Sequence, residues 1–193
     1  MIKMHFILIH GSESAGYGRK TDLLRQYFGQ DAVINPNYPP DRQGAIGMFE
    51  YLVERLRDDP DLYLVGSSQG GLFSIYLSYK YGVKAILINP LIDANPSIYP
   101  IGEEVENFKT GKHYVLKREW IEFMKNLVVP RTEIMKMKDR LFIYLDEGDD
   151  LLDSFKTAKF FGSDFYIKMF TGGSHPFDHM EELILDFKKN VLK

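Results

Sequence analysis

The chain has 193 residues, enough for one well-packed domain and too few to argue for two. A formal net charge of -3 leaves no cationic surplus for phosphate backbones or anionic membrane surfaces, so a general nucleic-acid or membrane binder is not expected. With no cysteine there is no disulfide framework, no thiolate nucleophile and no cysteine-type zinc site, and the cytoplasm is the simplest expected compartment.

The N-terminal run Met1 to His10 is too short for a signal segment and is interrupted by His5, and no later stretch approaches a membrane span. Short apolar runs then alternate with stretches of helical periodicity, which predicts βαβ units around a parallel sheet. Six strands are expected: Met4 to Ile9, Ala32 to Asn35, Leu62 to Val65, Ala85 to Ile88, Leu141 to Leu145 and Phe165 to Phe170. Helices are expected over Lys20 to Phe28, Gln43 to Arg57 and Gln69 to Tyr81. The unbroken apolar character of Phe6-Ile7-Leu8-Ile9 and Ala85-Ile86-Leu87-Ile88 suits strands covered on both faces.

Residues 91–139 do not repeat the alternation. The segment opens with Asn89-Pro90 and Asn95-Pro96, turns at Pro100-Ile101-Gly102 and then sets Trp120, Ile121, Met124 and Leu127 about a helical turn apart. It is read either as a lid over the carboxyl edge of the sheet or as a packing segment. Near the C-terminus, Asp178 followed by Glu181 predicts a capping box for the last helix.

The motif that carries chemistry is Gly66-Ser67-Ser68-Gln69-Gly70. A sharp strand-to-helix turn that presents a nucleophilic serine needs small residues two positions either side of it. Gly66 and Gly70 satisfy this for Ser68, whereas Ser67 would be flanked by Val65 and Gln69. A serine hydroxyl needs a general base and an acid behind it. Among the five histidines, His5 falls inside the first strand, His113 inside the long excursion and His179 in an exposed first helical turn. His10 is expected to shape the first loop. His175 is left as the base, in the glycine-bearing loop after the sixth strand.

The loop after the fifth strand offers Asp146, Glu147, Asp149, Asp150 and Asp153. Asp149, next to the turn residue Gly148, is preferred, with Asp150 as the alternative acid and Asp153 as a helix cap. The order Ser68, Asp149, His175 is the chain order of α/β-hydrolase triads. The oxyanion donors expected are the amides of Gln69, directly after the nucleophile, and Ser12, in the first loop. The Gly18-Arg19-Lys20-Thr21 stretch approaches a phosphate-binding loop, but Arg19 separates the glycine from the lysine and Glu13 stands where the first glycine belongs, which makes a nucleotide-binding protein the weaker alternative.

These residues resemble the small bacterial single-domain esterases of the YqiA/YcfP type in the α/β-hydrolase superfamily. The resemblance rests on His10-Gly11, Val65-Gly66-Ser67-Ser68 with Gly70-Gly71, Ile88-Asn89-Pro90, Tyr114-Val115-Leu116, Gly148-Asp149 with Leu151-Leu152-Asp153, and Gly172-Gly173 with His175 and Phe177. Ser12 departs from it, standing where an aromatic residue usually follows His-Gly, and Pro176 replaces a smaller residue. The resemblance implies hydrolysis of a small-molecule ester or thioester by Ser68, with His175 as base and the aspartate after Gly148 as its partner. The expectation is one α/β-hydrolase domain over residues 1–193, with six mainly parallel strands in the order 2-1-3-4-5-6, helices on both faces and an inserted lid over 91–139. No cofactor or metal is called for. A non-catalytic binding module on the same fold is the alternative from another class.

Overall fold

A computed structural model describes residues 4–95 and 99–192. Residues 1–3 of the N-terminal run, and Pro96 of the Asn95-Pro96 pair, lie outside the described residues. In chain order the elements are β1 (His5–Ile9), α1 (Arg19–Phe28), β2 (Val33–Ile34), α2 (Arg42–Leu56), β3 (Leu62–Ser67), α3 (Gln69–Tyr81), β4 (Lys84–Ile88), β5 (Glu104–Glu106), β6 (His113–Val115), α4 (Arg118–Lys125), α5 (Arg131–Ile134), β7 (Leu141–Asp146), α6 (Ser154–Phe161), β8 (Tyr166–Phe170) and α7 (Met180–Asp186).

Six strands form one sheet in the order β2-β1-β3-β4-β7-β8, with every pairing parallel. This is the expected order, because among the described residues β5 and β6 pair antiparallel only with each other. Alternate side chains sort the core into two layers. Ile7, Ile9, Leu64, Leu87 and Ile143 face Phe49 of α2, Phe73 of α3 and Met124 of α4, whereas Phe6, Leu8, Val65, Ile88 and Tyr144 face Leu24 of α1 and Ile184 of α7.

Several boundaries shift for local reasons. β2 is shorter than the expected 32–35, since Gln30–Ala32 form a 3₁₀ turn and the Asn35 amide group turns away to donate to Gly16 O at 2.7 Å. α2 begins at Arg42 because the Asp41 carboxylate accepts from the amides of Gln43 and Gly44. Asp153 caps α6 as expected, accepting from Lys156 N at 2.9 Å.

The capping box at Asp178 does not form. α7 starts one residue later, with His179 at the N-cap, because the Asp178 amide donates to Asp146 Oδ2 at 2.7 Å and its carboxylate accepts from Ser174 Oγ at 3.0 Å. Glu181 is turned to the Tyr27 hydroxyl instead.

Residues 91–139 divide in two. Ile121 and Met124 of α4, together with Leu127, are buried in the larger core layer. The β5–β6 hairpin, which the sequence reading does not anticipate, is largely exposed and is strapped to the loop after β1. Phe108 N donates to Glu13 O at 3.1 Å and Asn107 Nδ2 to Ser14 O at 2.8 Å. Among the described residues no helix is long and apolar enough to cross a membrane.

Candidate active site

Ser68 sits between β3 and α3 with φ 55° and ψ -122°, a conformation costly for any residue with a Cβ. The surroundings leave no room for a side chain two positions either side of it. A Cβ on Gly70 would lie 1.9 Å from Ile9 O, and one on Gly66 would lie 2.3 Å from both Gly70 O and Ser74 Oγ. The start of α3 therefore rests directly on the backbone of β1. Ser68 N is held by Ile88 O at 3.1 Å, and Ser68 O accepts from both Gly71 N and Leu91 N. Ser67 is the buried last residue of β3.

The Ser68 hydroxyl lies 2.9 Å from His175 Nε2. His175 Nδ1 lies 2.9 Å from each carboxylate oxygen of Asp149. The Asp149 side chain is 1% exposed, and its Oδ1 also accepts from Leu151 N at 2.9 Å and Leu152 N at 2.8 Å. Three donors thus hold the buried carboxylate with little freedom to turn. Asp150, the alternative acid, meets the backbone of His175 and not its ring, with Oδ1 at 3.4 Å from the amide. Ser68, Asp149 and His175 follow the C-terminal ends of β3, β7 and β8, the edge where α/β sheets bind ligands.

The two residues expected to supply oxyanion donors are joined by their side chains. Ser12 Oγ donates to Gln69 Oε1 at 2.6 Å, and Gln69 Nε2 reaches Tyr38 Oη at 3.5 Å. Gln69 is the first residue of α3, so its amide has no acceptor within the helix. The Ser12 amide makes no hydrogen bond among the described residues. Tyr38 holds the loop from beneath, its hydroxyl donating to His10 O at 2.7 Å while its ring stacks on His10 at 4.1 Å. Burial pushes the Tyr38 phenol well above its ordinary range, which keeps it protonated as a donor. Burial also lowers the His10 pKa, so this imidazole is the neutral form and serves the loop, with Nδ1 against Gly11 O at 2.8 Å.

Two positioning residues escape the sequence reading. Asn89, 1% exposed and with φ 39°, donates from Nδ2 to Ser174 O and His175 O at 3.0 and 3.2 Å and accepts from Asp146 N at 2.9 Å. It links the ends of β4 and β7 to the histidine loop. The clue available was Asn89-Pro90 directly after a strand. Asp146, fully buried, binds the other side of that loop through Ser174 N, Asp178 N and His179 Nδ1. His179 is therefore not the exposed first-turn residue expected of it: it is stacked on Phe170 and tied to Asp146. His5, expected as a packed strand residue, is half-buried in β1 and bonded to the Asp59 carboxylate.

The loop that approaches a phosphate-binding motif has its basic side chains engaged. Lys20 Nζ donates to Pro176 O at 2.6 Å and Arg19 Nη1 to Asp178 O at 2.8 Å, so both strap the histidine loop. Burial and the nearby Arg19 lower the Lys20 pKa to about 8. A cavity of about 410 Å³ opens beside the His10-Gly11-Ser12 loop and reaches the β5–β6 hairpin at Tyr114. Among the described residues, no group of three or more histidines and carboxylates is placed to hold a metal ion.

Comparison with known proteins agrees with this architecture. Est1E from Butyrivibrio proteoclasticus, in a structure with ferulic acid bound, superposes with a TM-score of 0.70 at 16% identity, over 98% of this chain and 88% of that one. A monoacylglycerol lipase from Paleococcus ferrophilus superposes with a TM-score of 0.63 at 15% identity, over 95% and 92% of the two chains. Likenesses at this level of identity are likenesses of fold, and the fold is that of the α/β-hydrolases. A UPF0227 protein from Vibrio atlanticus (strain LGP32) is 27% identical over 157 residues, 79% of each chain. The profile of the uncharacterised protein family UPF0227 matches residues 5–189, and the chain belongs to that family.

Proposed function

We propose that the chain is a serine hydrolase of carboxylic esters or thioesters. The observation that carries the proposal is the unbroken chain of contacts from Ser68 Oγ through His175 to the buried Asp149, with Ser68 on a strained turn. In this mechanism Ser68 Oγ attacks the carbonyl carbon while its proton passes to His175 Nε2. Asp149 keeps the second imidazole proton on Nδ1 and stabilises the imidazolium. The amides of Gln69 and Ser12 receive the negative charge that develops on the carbonyl oxygen. Collapse breaks the carbon–oxygen or carbon–sulfur bond, and His175 Nε2–H protonates the leaving group. Water then attacks the acyl-enzyme, giving its proton to His175, which returns one to Ser68 as the acid departs.

Residues 1–193 act as one domain in this proposal, and the β5–β6 part of 91–139 is its lid, supported by the contacts of that hairpin with the loop after β1. The substrate is a dissolved small molecule. The test is labelling of the intact protein with a fluorophosphonate probe. Label is expected on the wild type and absent from Ser68→Ala. An unlabelled wild type, or equal labelling of the two, overturns the mechanism.

A further inference from the structure

Arg42 goes against the local rules of its position in three ways. It is the first residue of α2, where the positive end of the helix dipole disfavours a cation. It is only 1% exposed, although a guanidinium stays charged at any pH the protein meets. Among the described residues it also has no carboxylate within 4.0 Å. Nη1 donates to Pro40 O at 2.8 Å, Nη2 reaches Ser12 Oγ only at 3.5 Å, the guanidinium also meets the Tyr114 hydroxyl, and Nε is fully buried with no acceptor.

The nearby carboxylates are engaged elsewhere. Asp41 turns back to the amides of its own helix, and Glu13 accepts from the Tyr114 hydroxyl at 2.7 Å. A buried charge with only neutral partners costs several kcal/mol, and such departures concentrate where a ligand completes the structure. Arg42 lines the 410 Å³ cavity together with Gly11, Ser12 and Tyr114. Gly11 ties that cavity to the nucleophile, because a Cβ there would stand 3.1 Å from Ser68 Cβ and 3.6 Å from Ser68 Oγ.

We infer that Arg42 receives an anionic group, a carboxylate or a phosphate, carried by the same molecule whose ester or thioester bond meets Ser68. The planar fork of a guanidinium suits either anion, and its desolvation is then offset by a paired charge. Acting on a bound ester rests on the hydrolase proposal above, whereas binding of the anion does not.

The test separates the two. In the Ser68→Ala protein, succinate and inorganic phosphate are titrated by thermal shift against neutral succinamide. Stabilisation by at least one anion and not by succinamide is expected, with the tighter anion naming the group. Replacing Arg42 in that background weakens the binding by about tenfold or more for Arg42→Gln, and by less for Arg42→Lys, which keeps the charge but loses the fork. With Ser68 intact, the ratio of kcat/KM for mono-p-nitrophenyl succinate to that for p-nitrophenyl butyrate falls about tenfold in Arg42→Gln. If that variant does not fold, Arg42→Lys carries both comparisons with a smaller change of the same sign.

Equal binding with and without Arg42, no stabilisation by either anion, or the same loss on both esters overturns the inference. Anion binding through Arg42 in a protein whose Ser68 takes no fluorophosphonate upholds the site and removes the hydrolase proposal. Labelling without anion binding does the reverse.

Discussion

His179 Nδ1 lies 2.7 Å from Oδ1 of the fully buried Asp146, while the other oxygen of that carboxylate takes the amides of Ser174 and Asp178. This aspartate and histidine stand beside the Asp149–His175 pair without touching Ser68, and they hold the loop from which His175 projects. Asp146→Ala would strand the imidazole and two amides with no nearby acceptor. A loss of about 2–4 kcal/mol is expected in chemical denaturation. Turnover should fall chiefly in kcat, because the displaced group is the base of the proposed mechanism and not a substrate contact. A denaturation midpoint equal to that of the wild type would remove the structural role given to Asp146.

Asp149 and Asp150 are adjacent in sequence and differ in what they touch. Asp149→Asn should lower kcat by about 10³–10⁴-fold with the fold retained, since an amide cannot hold the required imidazole tautomer. Asp150→Asn keeps an oxygen that can accept the one long contact from His175 N, loses only the charge, and should cost far less. Steady-state kinetics on a chromogenic ester compares them, and a larger loss in Asp150→Asn would reverse the assignment.

The glycines of the elbow can be set against a glycine that has room. A methyl group at Gly70 meets Ile9 O at 1.9 Å, so Gly70→Ala is expected to yield no stably folded protein. Gly47, exposed in the middle of α2, has nothing within 4 Å of an added Cβ. Gly47→Ala should stabilise by about 0.5–1 kcal/mol through the lower entropy of the unfolded chain and better helix propensity. Thermal melts decide both.

Burial holds the His10 pKa below its ordinary 6.5 in the folded chain. Between that lowered value and 6.5 the unfolded state binds more protons than the folded one, so stability rises with pH there. The contribution of His10 is fully present above 6.5 and is lost as the pH falls toward the folded value. One proton accounts for a slope of at most about 1.4 kcal/mol per pH unit. Denaturation at a series of pH values should show a shallower acid-side slope in His10→Gln than in the wild type.

Much of this architecture was legible in the sequence, for identifiable reasons. Strand positions followed from continuous apolar runs and alternating periodicity, their order came from the connection rules of parallel βα units and the α/β-hydrolase resemblance, and α3 spans Gln69–Tyr81 as read because Gly70 and Gly82 punctuate both its ends. Ser68 was separable from Ser67 because the spacing of small residues is a local property. What stayed hidden depends on residues distant in the chain. The choice between Asp149 and Asp150 turns on which side chain points inward, and the capping box at Asp178 looked sound locally but lost its amide to Asp146, 32 positions earlier. The hairpin at Glu104–Glu106 and His113–Val115 has three residues to a strand, too few for the alternation around Val105 and Tyr114 to be told from chance.

The contact between His175 and Ser68 joins residues 107 positions apart and spans the sheet from β3 to β8. During synthesis on a ribosome, the elbow can be complete long before the histidine proposed to activate it has been made. A nascent chain would then carry an inert serine, and its acquisition of fluorophosphonate reactivity would mark the moment at which the last strand docks.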